Sequence, residues 1–151
     1  GTGRIGKNVV RIAQGFEMNV LAYDPYKDEK YATEHNIKYV PFDTILTSSD
    51  IITLHTPSTP ENHHMLNKES IGKMKKGVCI INTARGDLID TEALLWGIEE
   101  GIVRGAGLDV LEGEKILKDE MEIFKDSNIA HSINYKMLLE DHMLMNKNQT
   151  L

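Results

Sequence analysis

The sequence predicts an α/β domain built on a doubly wound, mostly parallel sheet. Two observations lead there. The chain opens on Gly1-Thr2-Gly3-Arg4-Ile5-Gly6 and runs directly into a helical pattern that ends near Phe16. Short apolar runs at 19–23, 37–40, 51–54, 78–82 and 105–110 then recur, with polar or amphipathic stretches between them. Strands that alternate with helices pair in parallel, because each crossover returns the chain to the same end of the sheet.

The opening glycines set the chemistry. In a G-x-G-x-x-G loop one glycine permits the tight turn, one lets backbone N–H groups approach a pyrophosphate, and one allows close helix packing. The helix that follows offers partial positive charge to the phosphates at its N-terminus. The motif alone is a weak signal, and its context strengthens it. Val9, Val10, Ile12 and Ala13 supply a helix face, 19–23 a buried strand, and Asp24 closes that strand. The carboxylate stands about 20 residues past the glycines, where it can accept hydrogen bonds from the ribose hydroxyls of an adenosine and repel a 2′-phosphate. An Asp-Pro pair also starts turns, so Asp24 before Pro25 has a plain structural reading too; the glycine loop at the right distance favours the ribose role. The expected cofactor is therefore NAD rather than NADP. Such a loop normally follows a strand. No residue precedes Gly1, so the strand before the glycine loop is expected to be missing, the sheet incomplete and the chain a fragment.

The remaining elements follow in order. Residues 27–36 read as a short surface helix, 37–40 as a strand stopped by Pro41, and 42–46 as another short helix. His55-Thr56-Pro57 follows the strand at 51–54 and lies at its C-terminal end, the cofactor side of an open parallel sheet. Asn67 caps a short helix reaching Met74. His63 and His64 before it read as exposed loop residues; no carboxylate or cysteine cluster sits at ligand spacing, so no metal is expected. Cys79 reads as a buried strand residue rather than a nucleophile. Thr83-Ala84-Arg85-Gly86-Asp87 leaves the next strand, Asp90 caps a helix over 91–101, and the strand at 105–110 exits through 111–114. A short helix within 115–128 and a methionine-rich one at 137–145 complete the expectation.

At 151 residues, 40% hydrophobic and 26% charged, the chain suits one domain over 1–151. Its net charge of −6 argues against general binding to nucleic acid or an anionic membrane, which requires a basic surface. No apolar run approaches the ~20 residues of a membrane span, and the single cysteine excludes a disulfide within the chain. A reduced, cytoplasmic setting is expected.

Taken together, Asn82-Thr83-Ala84-Arg85-Gly86, Asp90, Gly107-Leu108-Asp109-Val110 and Glu114 closely resemble the signatures of the D-isomer-specific 2-hydroxyacid dehydrogenases. The glycine loop, Asp24, Pro57 with Thr59, and Met74-Lys75-Lys76-Gly77 agree with it, so the likeness covers 1–114. The resemblance implies a Rossmann-like NAD-binding domain inserted in a second, substrate-binding domain that this chain does not contain. It also implies a homodimeric whole protein acting on a small 2-oxo or D-2-hydroxy acid. By the same likeness Arg85 would bind the substrate carboxylate and 2-oxo group, and Glu114 would pair with the catalytic histidine. Asp109 would lie near the nicotinamide amide. Arg4 and Ile5 would meet the pyrophosphate through backbone, beside Gly1, Gly3 and Gly6, while Thr56, Pro57, Thr83 and Ala84 would line the cofactor cleft next to the strand-end candidate His55.

The departure is the histidine. The family places it in a Pro-His pair, and this sequence has none. Residues 115–151 resemble a helical insert or tail, so the histidine is expected beyond Leu151, with His131 the fallback. Two rival readings share the cofactor logic: a non-catalytic NAD-binding sensor resembling the family's corepressor relatives, and a relative of formate dehydrogenase. Arg85 and Glu114 together favour the enzyme.

Overall fold

The computed structural model describes residues 1–113. The expected helices within 115–128 and 137–145, along with Glu114, His131 and His142, lie outside the described residues.

The chain alternates helix and strand throughout: α1 (Arg4–Gly15), β1 (Leu21–Ala22), α2 (Glu29–Glu34), β2 (Lys38–Tyr39), α3 (Phe42–Ser48), β3 (Ile51–Leu54), α4 (Lys68–Gly72), β4 (Val78–Asn82) and, after a 3-10 turn at Gly86–Leu88, α5 (Thr91–Glu99) and β5 (Val103–Leu108). Every strand pairing is parallel, as the alternation requires. The strands form two sheets, β1-β2 and β3-β4-β5. Among the described residues no strand joins β1 to β3.

The main core lies on one face of the three-stranded sheet. Side chains alternate across a strand, and here Ile52 and Leu54 of β3 and Val78, Ile80 and Asn82 of β4 point inward, onto Leu46, Ile71, Leu88, Leu94 and Leu95 from the surrounding helices and turns. The opposite face is uncovered among the described residues, so Ile51 is 45% and Ile81 38% exposed in strands whose composition predicts burial on both sides. A smaller core of Val10, Ala22, Ala32 and Ile37 holds α1 and α2 against β1 and β2.

Most element boundaries shift by one to three residues from the sequence reading, and the two sheet-edge cases have a visible cause. β1 is two residues long, because only Leu21 and Ala22 find partners, on Lys38 and Tyr39. β5 begins at Val103 rather than Gly105, since Val78 pairs with Val103 before a register shift carries Cys79 opposite Gly105; it also ends before Asp109. Of the apolar face expected on α1, Val10 is buried but Ile12 is 56% exposed. Cys79 is half-buried rather than buried, with the Arg104 guanidinium donating to its Sγ at 3.3 Å.

Because Leu94 is 1% exposed inside the main core and Ile81 faces outward, their truncations should separate. Urea unfolding of this chain should show Leu94→Ala losing ~2–5 kcal/mol and Ile81→Ala a small fraction of that. Equal losses would mean that the sheet face bearing Ile81 is covered.

Candidate active site

The pairing register fixes the site. Leu54, Asn82 and Leu108 are aligned across β3, β4 and β5, so the residues that follow them, His55, Thr83 and Asp109, leave the sheet side by side. The glycine loop borders the same end. The Gly1 nitrogen donates to the Tyr23 carbonyl at 2.9 Å, just past β1, and a Cβ built on Gly1 would stand 2.5 Å from the carbonyl oxygen of His55. A Cβ on Gly6 would meet the Gly1 carbonyl at 2.1 Å. Those two glycines are therefore required by the protein's own backbone packing. Gly3 is not: its φ of −67° suits any residue, and nothing lies within 4 Å of its Cβ position. The remaining reason for glycine there is room for a group from outside the chain.

Helix α1 is prepared for an anion. It has no side-chain cap at Gly3 and no acid in its first turn, whereas α2, α4 and α5 are capped by Asp28, Asn67 and Asp90 and each carries an acid there. The free N–H groups at such an end attract phosphate. Arg4 and Ile5 form its exposed first turn.

Asp24 is held in place by the loop itself. Its Oδ2 accepts from the Thr2 N–H at 2.6 Å and from the Thr2 hydroxyl at 3.1 Å, and its Oδ1 from the Tyr26 N–H at 2.9 Å. Thr2 Oγ1 also lies 2.7 Å from the Tyr39 hydroxyl, which in turn accepts from the Asp28 N–H at 3.2 Å. Partial burial raises the Asp24 pKa, but these hydrogen bonds to the ionised form outweigh it and the net shift is downward. Lys7 is engaged elsewhere, on Asp28 at 2.5 Å.

Past β3, His55 is half-buried with Nε2 2.9 Å from the Thr53 hydroxyl; burial above all pushes its pKa down and favours the neutral ring. Thr56 is half-buried and Pro57 exposed. Past β4, Asn82 organises the turn. Only 1% exposed, it accepts from the Ala84 N–H at 3.0 Å through Oδ1 and donates through Nδ2 to the Arg85 carbonyl at 2.8 Å. Its own carbonyl accepts from the Asp109 N–H at 2.9 Å. Thr83 and the Arg85 side chain are exposed, and the guanidinium donates to the Ala84 carbonyl at 2.6 Å. The turn then packs so closely that a Cβ on Gly86 would fall 2.1 Å from the Leu111 carbonyl oxygen.

The sequence reading missed Thr2, Tyr39 and the positioning role of Asn82. Asn82 in an apolar strand, followed by a turn, was a usable signal; Tyr39 was not, because its contact spans 37 residues. It also found no carboxylate near His63 and His64, whereas the fold brings Glu112 onto His64.

Residues 1–132 match the profile of the D-isomer specific 2-hydroxyacid dehydrogenases, NAD binding domain. The chain belongs to that family. Among its relatives, a 2-hydroxyacid dehydrogenase homolog of Haemophilus influenzae is 49% identical over 117 residues, covering 78% of this chain and 35% of that protein. D-lactate dehydrogenase of Escherichia coli is 44% identical over the same shares of both chains. The solved D-lactate dehydrogenase of Aquifex aeolicus, complexed with NAD and lactic acid, superposes with a TM-score of 0.81 at 41% identity, covering 95% of this chain and 41% of that one. The chain thus spans roughly a third to two-fifths of the length of these family members. The domain is an NAD-binding one with a Rossmann-like α/β fold.

The depressed pKa of Asp24 has a readable consequence. The sign follows from the direction: a carboxyl lowered by folding stabilises the fold above its unfolded pKa, and that contribution is lost as pH falls through the folded value. The amide resonance of Thr2, followed by NMR, should therefore hold its neutral-pH position through the ordinary carboxylate range and shift only below it. In Asp24→Asn the same resonance should show no acid transition; a transition that persists would assign it to another group.

Proposed function

We propose that the whole protein to which this domain belongs is an NAD-dependent oxidoreductase interconverting a small 2-oxo acid and its D-2-hydroxy acid. The observation that carries the reading is the Asn82-anchored turn, which presents the exposed guanidinium of Arg85 at the strand-end row that the glycine loop borders. A planar fork of donors suits a carboxylate beside a carbonyl. Nicotinamide supplies or accepts the hydride when the cofactor is bound.

The chain's own residues then divide the work. Gly1 and Gly6 keep the loop tight, and Gly3 leaves space through which the first-turn N–H groups of Arg4 and Ile5 can meet a pyrophosphate. Asp24, pinned by Thr2 and Tyr26, takes the adenosine ribose hydroxyls and opposes a 2′-phosphate. His55, Thr56, Pro57, Thr83 and Ala84 wall the cleft, and Asp109 stands at the end of β5 for the nicotinamide amide. Arg85 binds the substrate carboxylate and polarises its 2-oxo group. Glu114 pairs with a histidine that donates the proton to the developing alkoxide, since a carboxylate beside imidazole favours the protonated ring. The substrate domain and that histidine belong to other parts of the whole protein. A cytoplasmic, homodimeric enzyme acting on a small-molecule acid, without nucleic-acid or membrane partners, completes the proposal.

The glycine assignments can be tested separately on this chain. Gly3→Ala should leave the urea midpoint almost unchanged and weaken NADH binding roughly tenfold or more, because the added methyl meets only ligand. Gly6→Ala should lower the midpoint itself. Calorimetric titration with NADH reads the first, and a Gly3→Ala variant with unaltered affinity would remove the pyrophosphate from that place.

In the full-length enzyme, Arg85→Lys should lower kcat/KM roughly tenfold to hundredfold, the equivalent of one charge-assisted hydrogen bond of ~1.5–3 kcal/mol, while NADH affinity stays near wild type. Steady-state kinetics paired with an NADH titration separate the two. If NADH binding fell with turnover, Arg85 would be a cofactor or folding residue.

A further inference from the structure

Away from the glycine loop, three side chains of metal-ligating type converge. One ring nitrogen each from His63 and His64 and a carboxylate oxygen of Glu112 all lie within 4.8 Å of one another. We infer that this cluster is a binding site for a divalent transition ion of the Zn²⁺ type.

The backbone is arranged for it. Adjacent side chains of an extended chain point to opposite sides, but His64 has a φ of +49°, a left-handed conformation uncommon outside glycine, and the two imidazoles consequently lie on the same side with centroids 3.9 Å apart. His64 is kept there from both directions, its N–H donating to the Asp87 carbonyl at 2.8 Å and its Nε2 bonded to Glu112 Oε1. The carboxylate is oriented as well. Glu112 Oε2 accepts from the Thr91 hydroxyl at 3.0 Å and the Thr91 N–H at 3.3 Å, which leaves Oε1 to face the histidines. An outer partner that fixes one carboxylate oxygen and presents the other is how ligating carboxylates are usually held.

The donor set selects the ion. Two imidazoles and one carboxylate suit Zn²⁺ or a neighbouring transition ion, whereas Mg²⁺ and Ca²⁺ require mostly oxygen. Ligation replaces the hydrogen bond between His64 and Glu112 with two bonds to the metal, and the half-buried, solvent-reachable position leaves further coordination places to water. A bound ion would tie the exit loop of β5 to the loop after β3, beside the turn that carries Arg85.

Calorimetric titration of the full chain with ZnCl₂ tests the site, with MgCl₂ and CaCl₂ as oxygen-seeking controls. One Zn²⁺ per chain should bind and the controls should not. His63→Asn, His64→Asn and Glu112→Gln should each weaken binding by at least roughly 10–100-fold, the loss that removal of even an outer partner causes, while His35→Asn leaves it unchanged. His63 is exposed and, among the described residues, makes only the ring contact with His64, so His63→Asn keeps the fold and decides the matter even if a Glu112 variant unfolds. With Co²⁺ in place of Zn²⁺, visible d–d bands should appear in the wild type and vanish in His63→Asn. Absence of Zn²⁺ binding, or binding that His63→Asn leaves intact, overturns the inference.

Discussion

Everything at the ligand-binding end depends on backbones approaching without a side chain between them. Gly6 rests on the carbonyl of Gly1, and Gly1 rests on the carbonyl of His55, at distances that no Cβ could share. The same Gly1 reaches the Tyr23 carbonyl through its nitrogen. One loop therefore touches the exits of both β1 and β3, strands of two sheets that share no hydrogen-bonded pair. This contact sets where α1 starts, how its uncapped N-terminus faces the row of strand ends, and where Thr2 meets Asp24.

A second constraint operates on the other half. Asn82 is a polar side chain buried to 1% exposure, which is tolerable only because its amide is satisfied on both sides by the turn it anchors. Removing it would leave the Ala84 N–H and the Arg85 carbonyl without these partners, and Arg85 without a fixed base. The long guanidinium side chain is thus exposed while its backbone is locked, a combination suited to meeting a ligand with little ordering cost. Gly86 extends the same logic to the β5 exit loop, whose Leu111 carbonyl occupies the space a methyl would need.

Local patterns made most of this legible. The strands at 51–54 and 78–82, the caps at Asn67 and Asp90, and the start of α1 follow from alternation, short polar side chains and glycine spacing, all of which act within a few residues. What escaped depends on distant partners. The two-residue displacement of β5 reflects a register shift opposite Val78, and nothing local to Val103 announces it. Ile12 and Ile81 look like core residues by type, yet each faces outward because no described element covers it. The contact of Glu112 with His64 spans 48 residues, so no local pattern announces it. The site followed the same division: Asp24, Arg85 and the glycines were visible as residue types at fixed spacing, whereas Thr2, Tyr39 and Asn82 matter for whom they touch.

The central claim is that the glycine loop, Asp24 and the strand-end row form one dinucleotide cradle. Titration of the ¹⁵N-labelled chain with NADH, followed by amide chemical shifts, tests it most directly. Shifts concentrated at Gly3, Arg4, Ile5, Tyr26, Thr56 and Thr83, saturating together with a single affinity, are the predicted result. Saturable shifts confined to residues away from those strand ends, or none at the glycine loop while NADH binds, would contradict the account.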